Sequence, residues 1–192
     1  MLEFNEERHE YKLDGVVFPS VTTIIKPLEN FVYVDPDILR RAADFGKAVH
    51  TACELHDLND LDEATLDPSL VPYLDACKRF LVDTGARNVR IEQRMANENM
   101  RFAGTIDREC EISRKMVLVD IKSVAVLTPP IGVQLAAYKN LLEEGGARYI
   151  DECAAVQLRG DGIYKYKAYK DPHDWPTFVS LLTIHNWRKK HE

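Results

Sequence analysis

A change of hydrophobic period near residue 89 constrains the fold of this chain more than any other feature of its sequence. Before it, apolar residues recur every three or four positions, which predicts helices over 35–58 and 69–84. After it, apolar and polar residues alternate, which predicts strands over 89–95 and 102–107. A third strand, rich in Val, Leu and Ile, is expected over 116–122. The chain therefore combines helices with a sheet.

Further elements are expected on both sides of this region. At the N-terminus we expect a short hairpin around Asp14-Gly15 and a helix over 21–25 that is capped by Ser20 or Thr22. The C-terminal part is expected to contain a helix over 134–144, strands over 153–158 and 164–169, and a helix over 173–190. This order predicts an α/β protein with a mixed central β-sheet flanked by helices.

The bulk composition excludes several classes of protein. The 192 residues fit a single domain, 1–192, and a net charge of -6 argues against a general nucleic-acid coat protein. No run of about 18 apolar residues occurs, so we expect no membrane span. The acidic start lacks the apolar stretch of a signal peptide, which favours a cytoplasmic protein. The cysteines are far apart, without C-x-x-C spacing, and are expected to be reduced and mostly buried: Cys53, Cys77, Cys110 and Cys153.

One strand of the predicted sheet ends in two charged residues. Residues two apart in a strand share a face, so Asp120 and Lys122 project together from the apolar segment 117–122. Burial of charge is costly unless the group is paired or binds a metal ion. The segment therefore predicts either an ion pair at the rim of the sheet or a carboxylate and an ammonium at a functional site.

A second carboxylate is expected close to the first. Gly104-Thr105-Ile106-Asp107 ends the preceding strand, and the short connection through 112–115 makes the two strands a natural antiparallel hairpin. Pairing brings Asp107 near Asp120, where like charges repel unless a divalent cation neutralises them. Oxygen-rich sites of this kind suit magnesium or manganese. Gly104 lets backbone or substrate approach closely.

Four further polar residues are candidates because of their positions on helices. His50 and Glu54 lie four residues apart and hence on one helix face, where His50 offers a neutral imidazole nitrogen as a ligand. The alternative is a histidine and a glutamate without a ligand role. Gln134 and Tyr138 have the same spacing on a later helix. Gln bridges water or substrate, and Tyr bonds a phosphate or stacks on a base.

Taken in order, these segments resemble the PD-(D/E)XK nuclease superfamily. The set Gly46-x-x-Val-His50, Gly104-Thr-Ile-Asp107, Asp120-Ile-Lys122 and Gln134-x-x-x-Tyr138 is most similar to its RecB-like branch. The segment 19–25 is similar to an N-terminal signature of phage-encoded exonucleases and of the mitochondrial genome maintenance exonuclease. The resemblance covers about residues 19–145 and implies a restriction-endonuclease-like core, although Ile106 stands where the family name has proline.

The resemblance also implies a metal site. Its ligands for one or two Mg²⁺ or Mn²⁺ ions are His50, Asp107, Asp120 and the backbone carbonyl of Ile121. Its catalytic residues are Asp107, Asp120, Lys122, Gln134 and Tyr138. Lys122 holds or deprotonates the attacking water. No iron–sulfur cluster is expected, because the late cysteine group that carries one in some relatives is lacking.

The role of Glu92 has two interpretations. Glu92 either adds a water-mediated contact to the metal or lies on an exposed ion-pair face, because strand alternation groups it with Arg90 and Arg94.

By the same resemblance, the activity is exonucleolytic hydrolysis of DNA, of the kind used in phage recombination, replication or repair. The substrate is single-stranded DNA or duplex DNA with ends, the location is a bacterial or phage-infected cytoplasm, and an oligomer is compatible with the sequence. The alternatives are a structure-specific endonuclease on the same fold and a non-catalytic nucleic-acid-binding module. Burial of the charges of Asp107, Asp120 and Lys122 costs free energy, and a module without catalytic activity has no need of them. The set therefore favours the enzyme.

Two parts of the domain have expected roles outside the core. Residues 20–85 are expected to form a helical gate over the site, in which Phe31, Tyr33, Arg40 and Arg41 contact bases and phosphates. The alternative is simple packing of an N-terminal helix. Residues 150–192 are expected to form a strand–strand–helix tail.

Overall fold

The structure is a computed structural model that describes residues 1–5, 10–29, 34–146 and 149–191. The elements are β1 (Leu2–Asn5), β2 (Glu10–Leu13), β3 (Val16–Phe18), α1 (Val21–Ile25), α2 (Pro36–Asp57), α3 (Val71–Thr84), β4 (Arg87–Asn97), β5 (Phe102–Ile112), β6 (Lys115–Lys122), α4 (Pro130–Glu144), β7 (Glu152–Leu158), β8 (Tyr164–Tyr169) and α5 (Asp174–His191). Within these ranges, no helix combines the length and the apolar character that a membrane crossing requires.

The central sheet has five strands in the order β4-β5-β6-β7-β8. Neighbouring strands are antiparallel except β6 and β7, which are parallel. A parallel pair needs a crossover connection, and α4 provides it between β6 and β7. The turn between β5 and β6 has positive φ angles at Ser113 (50°) and Arg114 (67°), as two-residue hairpins require. The predicted α/β class with a mixed central sheet flanked by helices is confirmed.

Alternation along β6 divides the interior into two cores, one on each face of the sheet. Leu118 packs in a core with residues of α1, α4 and α5. Val117 and Val119 point the other way, into a core with residues of α2 and α3. Burial of one such side chain contributes about 1.5–3 kcal/mol, so slippage of this strand by one residue would be very costly. Asp120, two positions after Leu118, thus belongs to the α4 side.

The first three strands form a separate antiparallel sheet in the order β1-β2-β3. It packs on the central sheet through a small core that contains Tyr11, Phe18 and Ala103. The expected hairpin is confirmed by the pairing of β2 with β3, with its turn at Asp14-Gly15. Strand β1 was not expected, and residues 6–9, which the hairpin prediction touched, lie outside the described ranges.

Local signals set the ends of the helices that carry the site. The Ser20 hydroxyl accepts the N–H of Thr23 at 3.0 Å, so Ser20 is the residue that caps α1. Asp35 caps α2 through the N–H of Asp37 at 2.7 Å, and Pro36 occupies the first turn. Helix α2 then runs unbroken to Asp57 and carries His50 past the central sheet.

Candidate active site

Strands β5 and β6 separate at the point where both carry an aspartate. Their main-chain pairing runs from Ile112↔Lys115 to Arg108↔Val119. One residue further, the Asp107 carboxylate accepts the N–H of Ile121 at 2.7 Å, in place of a main-chain carbonyl. This hydrogen bond holds Asp107 against the segment that contains Asp120, as the hairpin argument predicts.

Asp120 and Lys122 form an ion pair on one face of β6. The Asp120 Oδ2 and Lys122 Nζ atoms are 2.7 Å apart, and their side chains are 2% and 20% exposed. Burial raises the pKa of Asp120 to about 6, although the Lys122 charge opposes this shift. Burial lowers the pKa of Lys122, but the negative charges of Asp120 and Asp107 outweigh it and raise that pKa. At neutral pH the pair is therefore a carboxylate and an ammonium.

The His50 side chain, on α2, lies close to Asp107 and Glu92. Its Nδ1 atom is 3.5 Å from Asp107 Oδ2 and 4.0 Å from Glu92 Oε1. One ligand atom from each of these three residues lies within 4.8 Å of the other two. One imidazole nitrogen and two carboxylate oxygens suit Mg²⁺, Mn²⁺ or a similar divalent cation. The donor set thus fits the expected metal, with Glu92 in the group and Asp120 beside it, paired with Lys122.

Glu92 joins the site through an unusual backbone conformation. Its φ angle is +46°, in the left-handed region that residues with a side chain rarely adopt. Burial and the charges of Asp107 and Glu54 raise the pKa of Glu92 to about 8, while Arg108 opposes the shift. Local strain of this kind is frequent at functional sites. Of the two interpretations for Glu92, its position beside His50 and Asp107 favours the water-mediated contact to a metal over the exposed ion-pair face.

Gln134 and Tyr138 lie on α4, and both side chains are buried. The Gln134 amide donates to the Tyr138 hydroxyl at 3.1 Å. Burial and the charge of Asp120 raise the pKa of Tyr138 well above its ordinary value, so its hydroxyl stays protonated. A Cβ atom at Gly104 would lie only 2.7 Å from the Tyr138 ring. Backbone or substrate was expected to approach Gly104 closely; the group that approaches it is instead the Tyr138 ring.

Sequence reasoning missed a buried ion network on the other side of Asp107. Arg108 donates to Asp57 Oδ2 at 2.7 Å and to Glu92 Oε1 at 3.2 Å. The side chains of Arg108 and Asp57 are 2% and 1% exposed. The two residues are 51 positions apart, so no local pattern reveals the pair. The one available signal in the sequence was the position of Arg108 directly after the predicted strand that ends at Asp107.

Two of the four residues expected in the helical gate lie within the described ranges. Arg40 and Arg41 are exposed on the first half of α2, whereas Phe31 and Tyr33 fall outside the described ranges. All four cysteine thiols are free. A cleft of about 360 Å³ lies between α4, β7, β8 and the start of α5, and none of the candidate site residues lines it.

Comparison with solved structures finds proteins that share the fold of this chain. A "putative exonuclease" from Eubacterium rectale has a TM-score of 0.52 at 9% identity, over 74% of this chain and 65% of that chain. LHK-Exo in complex with dAMP has a TM-score of 0.50 at 11% identity, over 91% of this chain and 88% of that one. SSO0001 reaches only 0.41 at 14% identity, over 84% and 71% of the two chains, which supports no argument.

These likenesses show a shared fold, because the identities are too low to show more. No protein-family model matches the sequence, and no curated protein matches it.

Proposed function

We propose that this protein is a divalent-metal-dependent DNA exonuclease of the PD-(D/E)XK kind. One observation carries the proposal: the ligand atoms of His50, Glu92 and Asp107 lie within 4.8 Å of one another. They lie beside a buried pair of Asp120 and Lys122. An acidic cluster with an adjacent ammonium suits a site that binds a cation and a phosphate together.

The metal ligands in this proposal are His50, Asp107, Asp120, the backbone carbonyl of Ile121 and, from the geometry, Glu92. When bound, Mg²⁺ or Mn²⁺ supplies Lewis-acid chemistry, which acidifies water and offsets negative charge at the phosphorus centre. The Ile121 N–H keeps one Asp107 oxygen in a fixed position. Preorganised ligands of this type avoid the cost of reorganisation during the reaction.

Lys122 acts as the cationic partner of the substrate in this proposal. The carboxylates of Asp120 and Asp107 keep it protonated, so it donates hydrogen bonds to the attacking water or to a phosphate oxygen. Tyr138 stays protonated beside Asp120 and donates a hydrogen bond to a phosphate oxygen. Gln134 orients that hydroxyl through the contact at 3.1 Å.

The sequence resemblance to the RecB-like branch favours exonuclease action over endonuclease action. The proposed phage-type role in DNA recombination or repair rests on the same resemblance. The two fold neighbours support the coarser proposal of a nuclease, since one is described as a putative exonuclease and the other is a complex with dAMP. In the proposal, DNA with a free end is the substrate, and the exposed first half of α2, with Arg40 and Arg41, is part of the gate.

The test is a cleavage panel of linear single-stranded, linear duplex, circular and RNA substrates with Mg²⁺ or Mn²⁺. Lys122→Ala should lower the rate by about 10²–10³-fold, by analogy with other electrostatic contributors, and Asp120→Asn should abolish cleavage. Both variants should keep the wild-type circular dichroism spectrum. Lys115→Ala is the matched control, because this exposed lysine starts the same strand.

Three results would contradict parts of the proposal. Cleavage by Lys122→Ala at the wild-type rate would refute the role of this lysine. Cleavage of closed circles would indicate the endonuclease alternative, because an exonuclease needs an end. Stabilisation by Mn²⁺ without cleavage of any substrate would indicate a nucleic-acid-binding module.

A further inference from the structure

A buried arginine lies beside the candidate metal site. Arg108 follows Asp107 in β5, and only 2% of its side chain is exposed. Burial of a guanidinium is costly, and the Nη2 atom of Arg108 is buried without a hydrogen-bond partner among the described residues. The contacts of Nε and Nη1 therefore indicate what the fold gains from this arginine.

The partners of Arg108 lie on three different elements. Its Nε donates to Asp57 Oδ2 at 2.7 Å, at the C-terminal end of α2. Its Nη1 donates to the main-chain oxygen of Asp107 in β5 at 2.7 Å and to Glu92 Oε1 in β4 at 3.2 Å. Helix α2 also carries His50. One guanidinium therefore joins the three elements that carry His50, Glu92 and Asp107.

The same contacts explain how Glu92 keeps its strained conformation. Its backbone φ of +46° turns the side chain away from the regular alternation of the strand. A conformation of this kind costs about 1–3 kcal/mol and persists only where the surroundings enforce it. The Arg108 contact at Oε1 is an interaction of the required kind, because it fixes one carboxylate oxygen 4.0 Å from the His50 ring nitrogen.

We propose that Arg108, anchored by Asp57, is a positioning residue that sets the spacing of His50, Glu92 and Asp107 before the ion binds. This inference rests on the metal site of the proposed function. The planar guanidinium sends its N–H groups in fixed directions, whereas lysine offers a single flexible point charge. Partners that orient metal ligands typically change metal affinity by about 10–100-fold when they are lost.

Arg108→Lys separates positioning from simple charge balance. The lysine keeps a positive charge near Asp57 and Glu92 but cannot contact three elements from one plane. If the charge alone mattered, the affinity for Mn²⁺ would be unchanged. If positioning matters, the affinity falls although the net charge of the protein stays the same.

The experiment measures binding of Mn²⁺ alone to the metal-free protein, by electron paramagnetic resonance of free Mn²⁺ and without DNA. Arg108→Lys should raise the Mn²⁺ dissociation constant by about 10–100-fold. The matched control is Arg87→Lys, because Arg87 pairs with Glu111 at 2.5 Å across the same two strands, but at the exposed edge. The control should bind Mn²⁺ as the wild type does.

A second readout is the Mn²⁺ dependence of cleavage. The Mn²⁺ concentration for half-maximal activity should rise in Arg108→Lys by the same factor, while the rate at saturating Mn²⁺ recovers most of the wild-type value. A purely structural role predicts instead a lower free energy of unfolding with an unchanged dissociation constant. If Arg108→Lys does not fold, Asp57→Asn removes the anchor of the guanidinium and should weaken Mn²⁺ in the same way.

The outcomes distinguish this inference from the proposed function. A wild-type protein that fails to bind Mn²⁺ refutes the metal site itself. A wild type that binds Mn²⁺ and cuts DNA, with folded Arg108→Lys or Asp57→Asn variants of equal affinity, overturns the inference alone.

Discussion

The carboxyl group of Glu92 provides a quantitative test of the site in the metal-free protein. Its side chain is 23% exposed, and burial together with Asp107 and Glu54 raises its pKa from 4.5 to about 8. Glu92→Gln removes the charge and keeps the shape of the side chain. The variant should therefore be more stable than the wild type at high pH.

The sign follows from proton binding. Between about pH 4.5 and pH 8, the folded protein keeps a proton on Glu92 that the unfolded chain has released, so wild-type stability falls as pH rises through this window. One pKa unit is worth about 1.4 kcal/mol, which sets an upper bound of about 5 kcal/mol. Because water screens a partly exposed group, we expect about 2 kcal/mol.

The assay is urea denaturation after EDTA treatment, at a pH near 4.5 and at a pH above 8. The difference in unfolding free energy between Glu92→Gln and the wild type should be near zero at the low pH and about 2 kcal/mol at the high pH. Glu144→Gln, at an exposed position at the end of α4, should show no such rise. Equal differences at both pH values would refute a buried, repelled carboxyl group at Glu92.

Two further substitutions test the packing at Gly104 and the N-terminal cap of α1. Gly104→Ala should lower the free energy of unfolding by about 1–3 kcal/mol, because the new Cβ lies 2.7 Å from the Tyr138 ring, and urea denaturation measures this loss. Ser20→Ala should cost about 1 kcal/mol in the same assay, since the N–H of Thr23 loses its cap; an unchanged midpoint would show that Ser20 does not stabilise α1.

The sequence predicted those elements whose signals are local. The run of Val, Leu and Ile over residues 116–122 is visible without any partner strand, and the structure has β6 at Lys115–Lys122. The four-residue spacing of Gln134 and Tyr138 gave a shared helix face, and their side chains are in contact. The antiparallel pairing of β5 with β6 was predicted from one short turn, which needs no information from distant residues.

The parts that were missed depend on long-range contacts or on broken alternation. Strand β5 was expected to end at Asp107 but continues to Ile112. The pattern did not reveal this extension, because the charged residues Arg108 and Glu109 are buried there as ion pairs. Alternation cannot place Glu92, since its left-handed backbone interrupts the alternation itself. Strand β1 has only four residues, too few for a periodic signal.

The Asp107 carboxylate, which closes the end of the β5–β6 ladder, is also part of the candidate metal site. Asp107 Oδ2 both accepts the Ile121 N–H and faces His50 at 3.5 Å. The same oxygen atom thus closes the pairing of the two strands and belongs to the candidate metal site. The end of the β5–β6 ladder and the position of one candidate ligand oxygen therefore depend on the same hydrogen bond.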